Sequence, residues 1–392
     1  MTHFLYVYET DMPTVSMIRK DAEMFYGEDS RFRSLRSITP ADLEWADNVF
    51  FVRPSDVFSW ILAKKARRAG CFVTAFCDDD LLDLPRDLPA IPWRKRFLKK
   101  TVREADLFQS SNAYLCDKFA AFTRAGRTYL SDTPIGNDDI ERIPRREITN
   151  EGTIKLVYAA GRDHAGIFNE FITPILPRLE ERYGTHLSLT TVGVDPDLSA
   201  FQGGRMKIDH VDGMPLEVYR NFMREQRFDI GLAPLHDSKF NKCKYYNKFF
   251  EYTLVGAMAI FSDCEPYTLI VQNGENGLLA ENTAEGWFRA ICEAVDDCVL
   301  RKKCLDNAIG LIETRFTPEA HLRLLKENVP ELFRGKTIDG KCGTLLFARL
   351  IYGLYRIGDL SYLSVFYLKR KGFRGFIRKV KEHAENAKVQ IR

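Results

Sequence analysis

Two windows of this 392-residue chain hold side chains whose types and spacing could do chemistry. The first is 229–262, DIGLAPLHDSKFNKCKYYNKFFEYTLVGAMAIFS. Lys244, Lys248 and Glu251 recur at i, i+4 and i+7, which on a helix puts all three on one face. Two ammonium groups near a helix N-terminus suit a pyrophosphate, through their charge and the free N–H groups. A glutamate two turns in can accept two hydrogen bonds from a ribose diol. The same spacing also describes a solvated face with an i+3 Lys–Glu pair, which is common on surface helices. The second window is 75–84, AFCDDDLLDL. Asp78 and Asp80 form a D-x-D element, which can hold a divalent cation, although so short a pattern arises readily by chance. One of the three aspartates could instead cap a helix before LLDL. Or a carboxylate at the strand end, Asp79 or Asp80, could bind a hydroxyl and take its proton.

The elements that must position these groups alternate. HFLYVY and DNVFFVRPS read as strands, DVFSWILAKKARRAG as an amphipathic helix closing at Gly70, and CFVTAFC as the strand that carries the aspartates. A polar stretch, 135–152, reads as a linker. A second series follows: TIKLVYAAG, a helix, HLSLTTVG, a helix, FDIGLAPL, the helix KCKYYNKFFEYTLVG, and AMAIFS. Such alternation implies parallel β-α-β units, with ligands beyond the C-terminal ends of the strands. The expected fold class is α/β, two Rossmann-like domains facing across a cleft. The expected domains are 1–140, 151–330 and a basic helical tail, 336–392.

Composition bounds the function. The net charge of +3 argues against bulk nucleic-acid binding. Nine scattered cysteines, none in C-x-x-C spacing, fit a reduced cytoplasm better than zinc or a disulfide framework. The first residues lack a signal peptide's basic start, and no run of 18 apolar residues reads as a membrane span.

The pattern APLHDSKFNKCKYYNKFFEYTLVGAMAIFSD resembles the nucleotide-sugar domain of bi-domain (GT-B) retaining glycosyltransferases of the group-1 type, in the branch seen in bacterial surface-polysaccharide synthesis. CEPYTLIVQNGENGLLAEN is similar to the family segment that follows, and YAAGRDH to its opening strand and glycine turn. ADNVFFVRPS and GCFVTAFCDDDLLDLP resemble the acceptor domain of the same branch. The likeness spans roughly 1–330 and is strongest over 229–282. It implies that Glu251 binds the donor ribose and that Lys244, Lys248 and Arg162 contact the diphosphate. Gly161 and His164 would line the first donor loop, and 210–215 (HVDGMP) would lie by the base. Two departures stand out. The family's first glutamate would fall at Cys243, and the lysine that often follows its GR arginine is missing from HAGIFNE.

The resemblance implies a cytoplasmic hexosyltransferase. It would move a sugar from a nucleotide-diphosphate sugar, as co-substrate, to a hydroxyl of a lipid-linked or polysaccharide acceptor, with retention. No cofactor, metal or nucleic-acid partner is expected. The missing glutamate keeps a non-catalytic sugar-nucleotide-binding module open, and a sugar-nucleotide epimerase could share the shape. The tail from Arg349 carries eleven Lys/Arg against Asp359, Glu382 and Glu385, a net +8 that leaves −5 on the rest of the chain. Aromatics and leucines interleave with these charges, and Gly353, Gly358, Gly372 and Gly375 are expected to divide it into short helices. That suits an interfacial anchor on an anionic membrane, on the inner face of the cell membrane. It equally suits terminal helices packed on the first domain with a solvated basic face.

Overall fold

The strands expected from the apolar runs form, and their burial explains their composition. β7 (Ile154–Ala159) is buried at five of six positions, as a strand covered on both faces must be. The computed structural model describes residues 2–389 apart from 86–87, 162–163, 199–200, 202–203 and 338–339, and no side chains at 216, 371, 375–376 and 378–389. The chain divides into two units, Met1–Ser131 with Leu325–Arg392, and Asp132–Leu324. Among the described residues, each unit is built on a six-stranded parallel sheet.

In the first unit the strands are β1 (Phe4–Tyr8), β2 (Ser30–Ser34), β3 (Asn48–Val52), β4 (Phe72–Phe76), β5 (Leu107–Ser110) and β6 (Thr128–Leu130). Their order is β2-β1-β3-β4-β5-β6, so the winding reverses between β1 and β3. In the second unit β7 is followed by β8 (Leu187–Val192), β9 (Lys207–Val211), β10 (Ile230–Ala233), β11 (Met258–Ser262) and β12 (Leu278–Ala280). Their order, β12-β11-β10-β7-β8-β9, is that of a Rossmann sheet, reversing between β7 and β10. Brackets of helix on both faces close each sheet, and ligands in such sheets sit at the carboxyl ends where the order reverses. The α/β class and the two Rossmann-like units expected from the sequence are what the chain forms.

Three local expectations give way. The stretch 135–152 is not a free linker. Ile143 is buried in the second unit's core, Ile135 donates its N–H to the Phe316 carbonyl at 2.7 Å, and Arg146 pairs with Asp229 at 2.8 Å. The tail is not a third domain, because residues from 325 onward return to the first unit. Asn48 donates to the Leu332 carbonyl at 2.9 Å, Lys65 to that of Cys342 at 2.7 Å, and the Lys336 N–H to Asp47 at 2.9 Å. Nor is the tail divided into short pieces. Leu346–Val389 is helical throughout except at Gly372, whose φ of 62° makes the kink. An interior glycine costs a helix only about 1 kcal/mol.

No helix among the described residues is long and apolar enough to cross a membrane.

Candidate functional site

The second unit holds a pocket of about 230 Å³ where β7 and β10 end side by side. Gly161 and His164 line it from the turn after β7, and Lys244, Lys248 and Glu251 from the segment after β10. Five of the six positions singled out for nucleotide binding are therefore brought together at the point of reversal. The sixth, Arg162, lies outside the described residues.

The backbone under these side chains differs from the expected long helix. Asn241–Cys243 forms one 3-10 turn, Lys244 is extended (φ −73°, ψ 158°), and the α-helix runs only from Asn247 to Thr253. Lys244 thus precedes the helix that carries Lys248 and Glu251. Two tyrosines between them account for the break. Tyr246 donates to Asp132 Oδ1 at 3.0 Å, and Tyr245 Oη accepts from the Thr133 N–H at 3.1 Å. These bonds, with Tyr246 packed against Phe250 and Phe316, hold 245–246 off the helical path.

Among the described residues that line the pocket, Glu251 is the one carboxylate. Lys248 and Tyr219, from the helix Leu216–Gln226, both donate to its Oε2, Tyr219 at 3.1 Å. Among the described residues, no hydrogen bond reaches Oε1. Burial, then the Glu251 charge, pushes the Tyr219 phenol well above the ordinary range, so it stays a donor. The i+3 Lys–Glu pair expected of a solvated face does exist, but it faces the pocket with both side chains half-buried.

Tyr252 fixes this corner from below. Its ring lies where a side chain on Gly231 would go, with an added Cβ only 2.3 Å from the ring. Its hydroxyl donates to the Leu232 carbonyl at 2.9 Å and lies 3.4 Å from the Ala159 N–H, tying β10 to β7. Gly193, at φ 74°, follows β8, and an added Cβ would sit 2.8 Å from the Ala160 carbonyl. Gly193 therefore admits the close approach of the first loop, and Gly213 of the 210–215 segment packs against it.

In the first unit the aspartates also sit at the carboxyl ends of strands. They start no helix; the next one is Pro92–Glu104. Arg53 bridges the first two, lying 3.4 Å from Asp78 Oδ1, while Asp80 turns away to other partners. Asp78 accepts from Thr14 Oγ1 at 2.6 Å, and Asp79 pairs with Arg53 at 3.0 Å. Asp80, 3% exposed, accepts the N–H groups of Leu82 and Asp83 at 3.1 and 3.2 Å and the Lys118 ammonium at 2.5 Å. Asp78 and Asp80 therefore do not converge as a D-x-D clamp, and no group of three metal-ligating side chains occurs among the described residues. Asp80, the other aspartate expected at the acceptor hydroxyl, spends its oxygens in closing the loop. Asp79 remains half-buried and paired to Arg53, which ends β3 at the unusual φ of 51°. Left-handed backbone at a non-glycine residue costs of order 1–3 kcal/mol and clusters at functional positions.

No family model matches the chain, and no curated protein matches it in sequence. Solved structures do. Anabaena Alr3699/HepE, in complex with UDP and glucose, aligns at a TM-score of 0.59 and 11% identity, over 84% of this chain and all of that one. The lipopolysaccharide outer core galactosyltransferase WaaB aligns at 0.55 and 13%, over 84% of this chain and 99% of its own. An α-glucosyltransferase in complex with UDP-glucose and DNA aligns at 0.56 and 12%, over 85% of this chain and all of its own. This chain has the GT-B fold.

Within the GT-B frame, the departure at Cys243 has a plain structural form. Cys243 is fully buried and its thiol lies 3.2 Å from the Lys239 carbonyl, so this position faces the interior. Sequence reasoning missed Tyr219, Tyr252 and Arg53. The pairing of a bulky aromatic after Glu251 with a lone glycine in β10 was the available signal for Tyr252. For Tyr219 and Arg53 no local pattern marks the role, because their partners lie 32 and 26 residues away.

Proposed function

We propose that this GT-B chain is a glycosyltransferase that takes a sugar from a nucleoside diphosphate and passes it, with retention, to a hydroxyl of a lipid-linked or glycan acceptor. The observation that carries the reading is the pocket at the β7/β10 reversal, which gathers Gly161, His164, Lys244, Lys248 and Glu251. At about 230 Å³ it is smaller than the roughly 300–1,000 Å³ that encloses a whole drug-sized ligand, and it suits a diphosphate and ribose. Glu251 accepts the ribose hydroxyls through Oε1 while Tyr219 and Lys248 hold Oε2. Lys244 and Lys248 neutralise the diphosphate, a charge that grows as the anomeric C–O bond breaks, so the stabilisation is larger in the transition state than in the ground state. The acceptor oxygen bonds the anomeric carbon, and its proton leaves with the diphosphate. Asp79, paired with Arg53, orients the acceptor hydroxyl. UDP sugars are the first donors to test, since HepE and the α-glucosyltransferase were solved with UDP or UDP-glucose.

The test is release of nucleoside diphosphate from a panel of sugar nucleotides, with and without lipid-linked and oligosaccharide acceptors, in chelator. Transfer that persists in chelator and retains the anomeric configuration is expected. Tight nucleotide binding without turnover on any pair would favour the binding-module reading, and an altered sugar nucleotide formed without acceptor would favour an epimerase.

A further inference from the structure

The helix Leu346–Val389 is amphipathic in an unusual sense: one face is docked and the opposite face is apolar and bare. The docked face carries Asp359, which accepts from Trp93 Nε1 at 2.8 Å and from Arg94 at 2.5 Å, while Arg94 and Arg356 also hold Glu9. Tyr352 packs on Phe58, Tyr355 on Phe97 and Tyr362 on Trp93. These contacts orient the helix about its axis. They turn outward Phe347, Leu350, Leu354, Ile357, Val365 and Leu368, with Phe347, Leu354 and Ile357 exposed by 72, 69 and 63%. At 100° per residue these six fall within one stripe, about 33 Å from Leu346 to Leu368.

We propose that this stripe is a lipid-docking surface, which lies along an anionic bilayer with its apolar side chains in the headgroup–acyl boundary. The inference deepens the reading of transfer to a lipid-linked acceptor by naming the surface that brings the chain to it. The polar residues within the stripe are fitted to lipid. Ser361 and Ser364 turn their hydroxyls back to the carbonyls of Ile357 and Leu360, at 2.9 and 2.8 Å, so neither needs water. Charge selects an anionic lipid surface over a second copy of the chain. Lys369, Arg370 and Arg374 follow the stripe, in a tail of net +8 on a chain whose remainder is −5. The docking helices add to it. Lys64 and Lys100 lie over the Trp60 ring at 5.1 and 3.9 Å, and Trp60 stacks on Phe97, which contacts Tyr355 of the tail. Burial, and after it the charges of Arg96 and Lys64, lowers the Lys100 ammonium. A self-association face of the same charge on both partners would be repelled, whereas each cation near an anionic leaflet favours binding.

The test is co-sedimentation of the full chain, without any sugar nucleotide, with vesicles of phosphatidylcholine alone or mixed with phosphatidylglycerol. The variant is Leu350→Ser with Leu354→Ser and Ile357→Ser, at positions whose exposure leaves the fold undisturbed. The full chain should bind the anionic vesicles, weakly at high salt, and the variant should bind at least about tenfold less with an unchanged melting temperature. Failure of the full chain to bind at low salt, equal binding by the variant, or a dimer that the variant abolishes in place of vesicle binding would overturn the proposal. Because no transfer is measured, its failure is separate from failure of the glycosyltransferase reading.

Discussion

Adjacent aspartates in this chain have been given different work by what surrounds them. Asp80 is buried and closes its loop through two N–H groups and Lys118, so its removal strands three donors. Asp80→Ala should therefore lower unfolding free energy by about 1–3 kcal/mol, as measured in urea. Asp79 is half-buried, but its partner Arg53 keeps Asp78 as a second carboxylate, so Asp79→Asn should cost less stability than Asp80→Ala while cutting turnover. Full turnover in Asp79→Asn would remove its role at the acceptor hydroxyl. The sequence placed both residues at a strand end but could not separate them. The distinction rests on Lys118 and Arg53, which are remote in the chain and adjacent only once the sheet forms.

At the scale of the element, caps and side-chain anchors decide where helices begin. Asp56 caps the helix Val57–Arg68 by accepting from the Ser59 N–H at 2.8 Å and from its hydroxyl at 2.6 Å. Burial, then the Glu9 charge, pushes its carboxyl up to about 6, against those bonds. Between about pH 4 and 6 the folded chain then holds this proton more firmly than the unfolded chain does. Its contribution is full below pH 4 and is lost as pH rises through about 6. Asp56→Asn, which keeps an acceptor for Ser59, should remove that slope, so that wild type loses stability relative to the variant across this window. A gap that stays constant from pH 4 to 8 would contradict it. Helix starts of this kind are local and legible. The helix carrying Glu251 was not, because the tyrosines that shorten it are held by Asp132 and Thr133, more than a hundred residues earlier.

Across the whole molecule, alternation of apolar runs and amphipathic helices was enough to reveal two parallel α/β units, since period and strand burial are local properties. It did not reveal that 325–392 returns to the first unit, which depends on contacts such as Asn48 with Leu332 and Trp93 with Asp359. The reversal of strand order between β7 and β10 gives the Lys244–Glu251 segment its meaning, by opening a pocket where those side chains meet the turn after β7. The central claim is that this pocket binds a nucleoside diphosphate through Glu251. The most direct measurement is thermal unfolding of wild type and Glu251→Gln in UDP and UDP-glucose, with other nucleoside diphosphates alongside. At 100 times its dissociation constant a ligand should stabilise the wild type by about 2.7 kcal/mol. The variant, isosteric and folded, should bind more weakly by roughly 1–3 kcal/mol and show a correspondingly smaller shift at the same concentration. No shift with any nucleoside diphosphate, or an equal shift in both proteins, would contradict the account.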